Sequence, residues 1–172
     1  MSKASLKKTL AKMDSASLVE LICEMYDARP EARDYLEYWL SPDPDAAFEK
    51  AREEVWKKFF FSSGKKRGLP MATELKKIVK YYSLLSYDSE RIASLMIYVA
   101  EVQAVWLGDR TTGFTAGLRS LENNVSQART YVEQAGLDDL FRLRLEKIDS
   151  QVRSLADNPP ETRRGRRRRR WW

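Results

Sequence analysis

The chain has 172 residues, 43% apolar and 33% charged, with a net charge of +6, one cysteine and no histidine. That length suits one globular domain with an appended tail. The missing histidine excludes a Ser-His-Asp triad and a Cys-His nucleophile, and one cysteine excludes an intrachain disulfide and argues against a structural zinc site.

The charge is unevenly placed. Residues 158–172 hold seven of the 31 basic residues and one of the 25 acidic ones, so 1–157 carries 24 of each and is neutral. Inside that neutral body, residues 57–82 carry Lys57, Lys58, Lys65, Lys66, Arg67, Lys76, Lys77 and Lys80 against Glu74 alone. A body polarised in this way attracts a polyanion on one side or pairs its own charges.

Helical spacing runs through almost the whole chain. Leu6, Leu10 and Met13 step by four and three, which predicts a short first helix. In "DSASLVELICEMYDARP", Ser17 and Glu20 fit a capping box, and Leu18, Leu21, Ile22 and Met25 make one stripe. Cys23 lies in this helix and reads as a small buried hydrophobe. Pro30 ends that helix and opens the next, in which Tyr35, Leu36, Trp39 and Leu40 form the buried side. "SPDPD" is a turn whose Asp43 or Asp45 caps a fourth helix, with Phe48, Val55, Trp56, Phe59 and Phe60 inward.

"SSGKKRG" reads as a flexible loop, and a fifth helix restarts at Leu69-Pro70 and runs to about Tyr82 over Leu75, Ile78 and Val79. Asp88 or Ser89 caps "ERIASLMIYVAEVQAVWL", which is apolar nearly all round and therefore belongs at the centre of a bundle. Glu101 in that helix marks either a narrow exposed stripe with Ser94 and Tyr98, the preferred reading, or a buried acid paired with a cation. Phe114, Leu118, Leu121, Val125, Ala128, Val132 and Ala135 step 4-3-4-3-4-3, a three-heptad seam. Gly136 ends it, and Leu137, Phe141, Leu145, Ile148, Val152 and Leu155 line a last helix that folds back as an αα-hairpin. The expectation is an all-α bundle of about eight helices over residues 1–157, followed by a disordered Arg-rich tail over 158–172.

Neither phosphate-binding glycine motif occurs. The i,i+4 carboxylate pairs Glu20/Glu24 and Glu49/Glu53 read as solvated faces, because carboxylate bundles that hold two metals use histidine as well. No cofactor, metal, small-molecule substrate or catalytic residue is implied. The binding signal is basic. Lys65, Lys66 and Arg67 sit between two glycines, where an ordinary solvated loop is the preferred reading and phosphate contact the alternative; Lys76 and Lys80 on the next helix could extend such a patch. The tail adds Arg163, Arg164, Arg166, Arg167, Arg168, Arg169 and Arg170, followed by Trp171 and Trp172. Arginine forks bind phosphate oxygens, and indoles stack on bases or enter a lipid interface. Non-specific DNA or RNA is the leading partner, a membrane surface is disfavoured, and a tail that adds only charge is the competing reading. "MSKASLKKTLAKMD" lacks the apolar run of a signal peptide, which predicts a cytoplasmic protein.

The first third has a recognisable pattern: the Lys-rich "SKASLKKTLAKM", then "LVELI" and "MYDA", then "EARDYLEYWL" and "PDPDA". It resembles a family of small helical bacterial proteins of unknown function. The likeness is strongest over residues 1–60 and does not include the Arg-Trp tail. It implies a helical fold and a bacterial cytoplasm, with no reaction attached. Two functions follow: a non-enzymatic nucleic-acid-binding protein, or a helical adaptor that docks another protein through the aromatic-rich first half and the heptad seam.

Overall fold

The structure, a computed structural model, describes residues 2–86, 88–108, 110 and 112–160. The expectations for residues 161–172, including a disordered tail, lie outside these. The described residues form helices α1 (Lys3–Leu10), α2 (Ser15–Ala28), α3 (Pro30–Leu40), α4 (Pro44–Phe59), α5 (Ala72–Leu85), α6 (Ser89–Leu107), α7 (Phe114–Gln134) and α8 (Asp138–Asp157). The fold is all-α, and among the described residues there is no strand. The chain divides at the "SPDPD" turn into two compact units, Met1–Asp43 and Pro44–Trp172.

In the first unit, Asp14 is the N-cap of α2, accepting from the Ser17 amide at 2.9 Å and the Ser17 hydroxyl at 2.8 Å. This corrects the Ser17/Glu20 capping box. An aspartate three residues earlier already satisfies the orphan amide, so the helix begins at Ser15 and Ser17 falls inside its first turn. Pro30 opens α3 at its first turn, as predicted. Tyr26 donates to Glu37 at 2.6 Å and so ties α2 to α3. That hydrogen bond, which a phenolate would lose, holds the Tyr26 phenol above its ordinary value.

No residue of α1, α2 or α3 is buried. Tyr35, Trp39 and Leu40 are exposed, the last two at 69% and 74%, against the expectation of an inward face. Three short helices enclose too little volume for a core, and α3 packs on α2 along a narrow line that half-buries Ala32, Leu36 and Tyr38 instead. Cys23 is exposed as well. It lies two positions from half-buried Leu21, about 200° around the helix, and so on the opposite face.

The second unit is built on α6, against which α4, α5, α7 and α8 all pack. Asp88 caps α6, accepting from the amides of Glu90 and Arg91. Eleven of its residues are buried, as its circumferential apolar surface predicts. From α4, Ala51, Val55, Phe59 and the following Phe60 enter the core. Trp56 stays partly exposed, stacked on Phe60 at 4.3 Å. Phe59 meets Trp106 edge-on at 6.0 Å. The Arg52 guanidinium lies 4.6 Å from the Tyr98 ring centre.

α5 starts at Ala72 and not at Leu69, because Glu74 reaches back to the Met71 amide and fixes the first turn there. It runs on to Leu85, burying Leu75, Ile78 and Tyr82. The heptad residues Leu121, Val125, Ala128 and Val132 of α7 are buried, with Phe114 and Leu118 packed against the core. The seam is therefore internal, shared with α6 and α8. α7 ends in a Schellman motif: the Gly136 amide donates to Glu133 O at 3.1 Å and the Leu137 amide to Val132 O at 3.0 Å, with Gly136 at φ +66°. α8 then folds back, burying Phe141, Leu145 and Ile148, and Arg129 pairs with Asp149 at 2.6 Å across the hairpin.

Candidate functional site

Two regions of the second unit hold the predicted cations that fall within the described residues. The first is the turn between α4 and α5. Phe60 and Lys66 form an isolated antiparallel bridge, Phe61 N donates to Lys65 O at 2.8 Å, and Arg67 N donates to Phe59 O at 2.8 Å. Gly64 sits at φ +75°, which lets the chain reverse within five residues. The Arg67 carbonyl accepts from Trp106 Nε1 at 3.0 Å, in the last turn of α6, and from Arg110, just beyond that helix. This segment was expected to be flexible. It is held by its own bridge and by these two donors, so its cations stand on a fixed backbone.

Within it, Lys65 is exposed and Lys66 half-buried. Arg67 turns back, donating from Nε to Phe60 O at 3.0 Å with its guanidinium 4.2 Å from the Phe61 ring centre.

The second region is a cleft of about 200 Å³ where α5 and α7 flank α6. Its apolar surface comes from Leu75 and Val79 of α5 and from Met96 and Val99 of α6. Lys76, Lys80 and Ser83 line it along α5, and Asn124 and Gln127 along α7. Positions 76, 80 and 83 share one helical face, adjacent to the face that buries Leu75, Ile78 and Tyr82. Among the described residues, no acid lines the cleft.

Sequence reasoning named Lys76 and Lys80 but missed the wall opposite. Gln103 is 0% exposed. Its Nε2 donates to Gly117 O at 3.1 Å, and its Oε1 accepts from Asn124 Nδ2 at 2.6 Å. The Gly117 carbonyl only accepts, so both amides are oriented, and Asn124 keeps Oδ1 as an acceptor at the cleft wall. The available signal was a lone glutamine among the core positions Val99, Val102 and Trp106, which at burial requires a polar partner. Gly117 lets α7 approach the end of α6: an added Cβ would lie 2.8 Å from Leu107 Cδ1.

Glu101 settles between its two readings. It lies on a half-buried stripe with Ser94 and Tyr98, and Arg144 of α8 covers that stripe. Arg144 binds Glu101 through Nε at 3.0 Å and Nη2 at 2.8 Å, while Nη1 reaches Ser94 Oγ at 2.9 Å. Other cations are similarly engaged: Arg52 with Glu49, Lys57 with Glu53, Lys58 with Glu74, and Arg91 with Asp45. Lys58 and the Met71 amide together hold the Glu74 carboxyl below its ordinary value. In contrast, no carboxylate among the described residues lies in ion-pair range of Lys65, Lys76 or Lys80, and Lys77 acts on Glu74 without a close ion pair.

Arg163, Arg164, Arg166 to Arg170, Trp171 and Trp172 lie outside the described residues. No described helix is long and apolar enough to cross a membrane.

Eight described helices and a core centred on α6 define an all-α bundle protein. The chain belongs to the family described as "Family of unknown function (DUF6155)", which matches residues 1–162. The likeness read over residues 1–60 thus extends through α8, and Arg163 to Trp172 lie beyond the matched region. No curated protein and no solved structure matches the chain.

Proposed function

We propose that this is a non-enzymatic protein of the bacterial cytoplasm that binds nucleic acid without sequence preference. The observation that supports this reading is a cluster of three lysines on the fixed 60–67 turn and α5, Lys65, Lys76 and Lys80, with no carboxylate of the described residues in ion-pair range. Lys77 beside them acts on Glu74, and Arg119, Arg142, Lys147 and Arg153 of α7 and α8 are likewise without an ion pair among the described residues. Arg52, Lys57, Lys58, Arg91, Arg129 and Arg144 of the second unit are spent on ion pairs that join or brace helices. A cation with no protein partner is free to neutralise a phosphate and release its counterion. The seven arginines after Pro160 add affinity of the same kind, and Trp171 and Trp172 add base stacking.

The test is fluorescence anisotropy of a duplex DNA and a single-stranded RNA at several salt concentrations. It uses the full chain, a 1–160 truncation and a K65Q/K76Q/K77Q/K80Q variant. For every phosphate that a variant no longer neutralises, the slope of log K against log salt should flatten by about 0.9 on duplex DNA. Equal binding by all three proteins, or none by the full chain at low salt, refutes the proposal.

A second reading, a protein-docking adaptor, draws on the exposed Trp39 and Leu40 of α3. The heptad seam no longer supports it, because its residues are core. Polypeptide rather than nucleic acid copurifying with the full chain, and absent from W39Q/L40Q, would favour this reading.

A further inference from the structure

We infer that the cleft between α5, α6 and α7 is a binding site for a small amphipathic anion: a short apolar chain ending in a carboxylate or phosphate. The inference stands apart from nucleic-acid binding, although Lys76 and Lys80 belong to both. Three observations carry it. The inner surface is aliphatic, from Leu75, Val79, Met96 and Val99, which suits a hydrocarbon chain. Two lysines one helical turn apart line the α5 side, with no acid among the described lining residues to neutralise them. The α7 side is preorganised, because fully buried Gln103 holds Asn124 in one orientation.

Size limits the ligand. A cleft of about 200 Å³ has room for about seven water-sized atoms, at roughly 30 Å³ each in the liquid. A chain of about eight carbons fills it with its head group between Lys76 and Lys80; a longer chain leaves its excess in solvent. A nucleotide or another large ring system exceeds the space.

Met96 supplies the reporter. In full-length protein labelled with 13C at the methionine methyls, its signal is assigned by Met96→Leu and followed while octanoate or octyl phosphate is added. We expect a saturable shift at Met96. Affinity should rise about fourfold per methylene from butanoate to octanoate and level off beyond. K76Q/K80Q should weaken binding up to about fivefold, as for a solvent-exposed charge pair. Octanoate and octyl phosphate distinguish the two head groups, and either one binding in this manner supports the site. Ser83→Trp, from the α5 edge, should block it. Should that variant lose its helical circular dichroism, Gln127→Trp blocks from the other wall, where the Gln127 side chain makes only a local bond to Asn123 O. The inference is overturned by an unmoved Met96 signal with both amphiphiles, by shifts indifferent to chain length, or by equal binding in a folded blocked variant. A duplex DNA titration that leaves Met96 unmoved while K76Q/K80Q weakens DNA binding would separate this site from the nucleic-acid reading.

Discussion

Replacing Gly117 with alanine tests how closely α7 is seated on α6. In an ordinary helix interior, alanine is better than glycine by about 1 kcal/mol. Here the new Cβ would stand 2.8 Å from Leu107 Cδ1 and 3.1 Å from Trp106 Cζ3. Non-bonded carbons rest about 3.5–4.0 Å apart, so at least one side chain must move by roughly half an ångström or more. Leu107 and Trp106 are both 0% exposed, so neither can move into solvent. Overpacking of this kind costs about 1–3 kcal/mol, which leaves a net destabilisation of about 1 kcal/mol after the helix gain. Urea unfolding should show a lower midpoint at unchanged slope. The sign should reverse in a Leu107→Ala background. That change is itself destabilising by about 2–5 kcal/mol, but it removes the nearer obstacle, so Gly117→Ala there should recover up to about 1 kcal/mol. If Gly117→Ala stabilises both backgrounds equally, the close approach of α7 to the end of α6 is wrong.

The Gln103–Asn124 hydrogen bond should appear in a double-mutant cycle of Gln103→Met and Asn124→Leu as a coupling of about 0.5–1.5 kcal/mol; additivity within about 0.3 kcal/mol would remove it as an anchor of the cleft wall. Gly136→Ala should destabilise by about 1 kcal/mol because an L-residue at φ +66° pays the left-handed penalty, whereas Gly108→Ala, at φ −50°, should be close to neutral by the same thermal unfolding measurement. The Asp14 carboxyl should titrate below its ordinary 3.8, held down by the Ser17 amide and then the Ser17 hydroxyl. Its capping contribution is therefore complete above pH 3.8 and is lost as the pH falls through the lowered folded value. An NMR titration of Asp14 with a midpoint at or above 3.8 would refute the cap, and Ser17→Ala should move the midpoint up.

Helix identity and the inward faces of α6, α7 and α8 were legible because long amphipathic repeats leave one geometric solution. Phe114 to Val132 cannot bury its 4-3 stripe except against another helix. Residues 1–43 were misjudged by the same rule. An apolar stripe predicts burial only where enough neighbouring surface exists, and α3 meets α2 along one narrow line, so Trp39 and Leu40 remain outside. The start of α5 was missed because Pro70 looked like a first-turn proline, while the hydrogen bond from the Met71 amide to Glu74 fixes a later start. The 64–68 segment was misjudged because glycine and lysine describe local freedom, whereas the anchors, Trp106 and Arg110, lie some forty positions away. The cleft was illegible for a related reason. Its walls come from three helices, and only the packing of α5 and α7 on α6 brings Lys80, Met96 and Asn124 to one place.

Charge placement joins these observations. The surplus in residues 57–82 first suggested a basic patch, but the structure divides it by role. Lys57 and Lys58 are engaged by Glu53 and Glu74, so they brace α4 internally and fasten it to α5. Arg67 is folded back on Phe60 and Phe61, stiffening the turn. What remains is narrower than the sequence count implied. Lys65 stands on an anchored turn, Lys77 lies on the solvent side of α5, and Lys76 and Lys80 line a cleft with an aliphatic surface. The two lysines keep their heads in water while their methylene stems extend the recess, an arrangement that favours a ligand with one charged end and one greasy end over a polymer of phosphates alone. Lys65 and Lys77 do not line that recess, so their substitution separates the two ligand classes: it should weaken nucleic acid and leave octanoate unaffected.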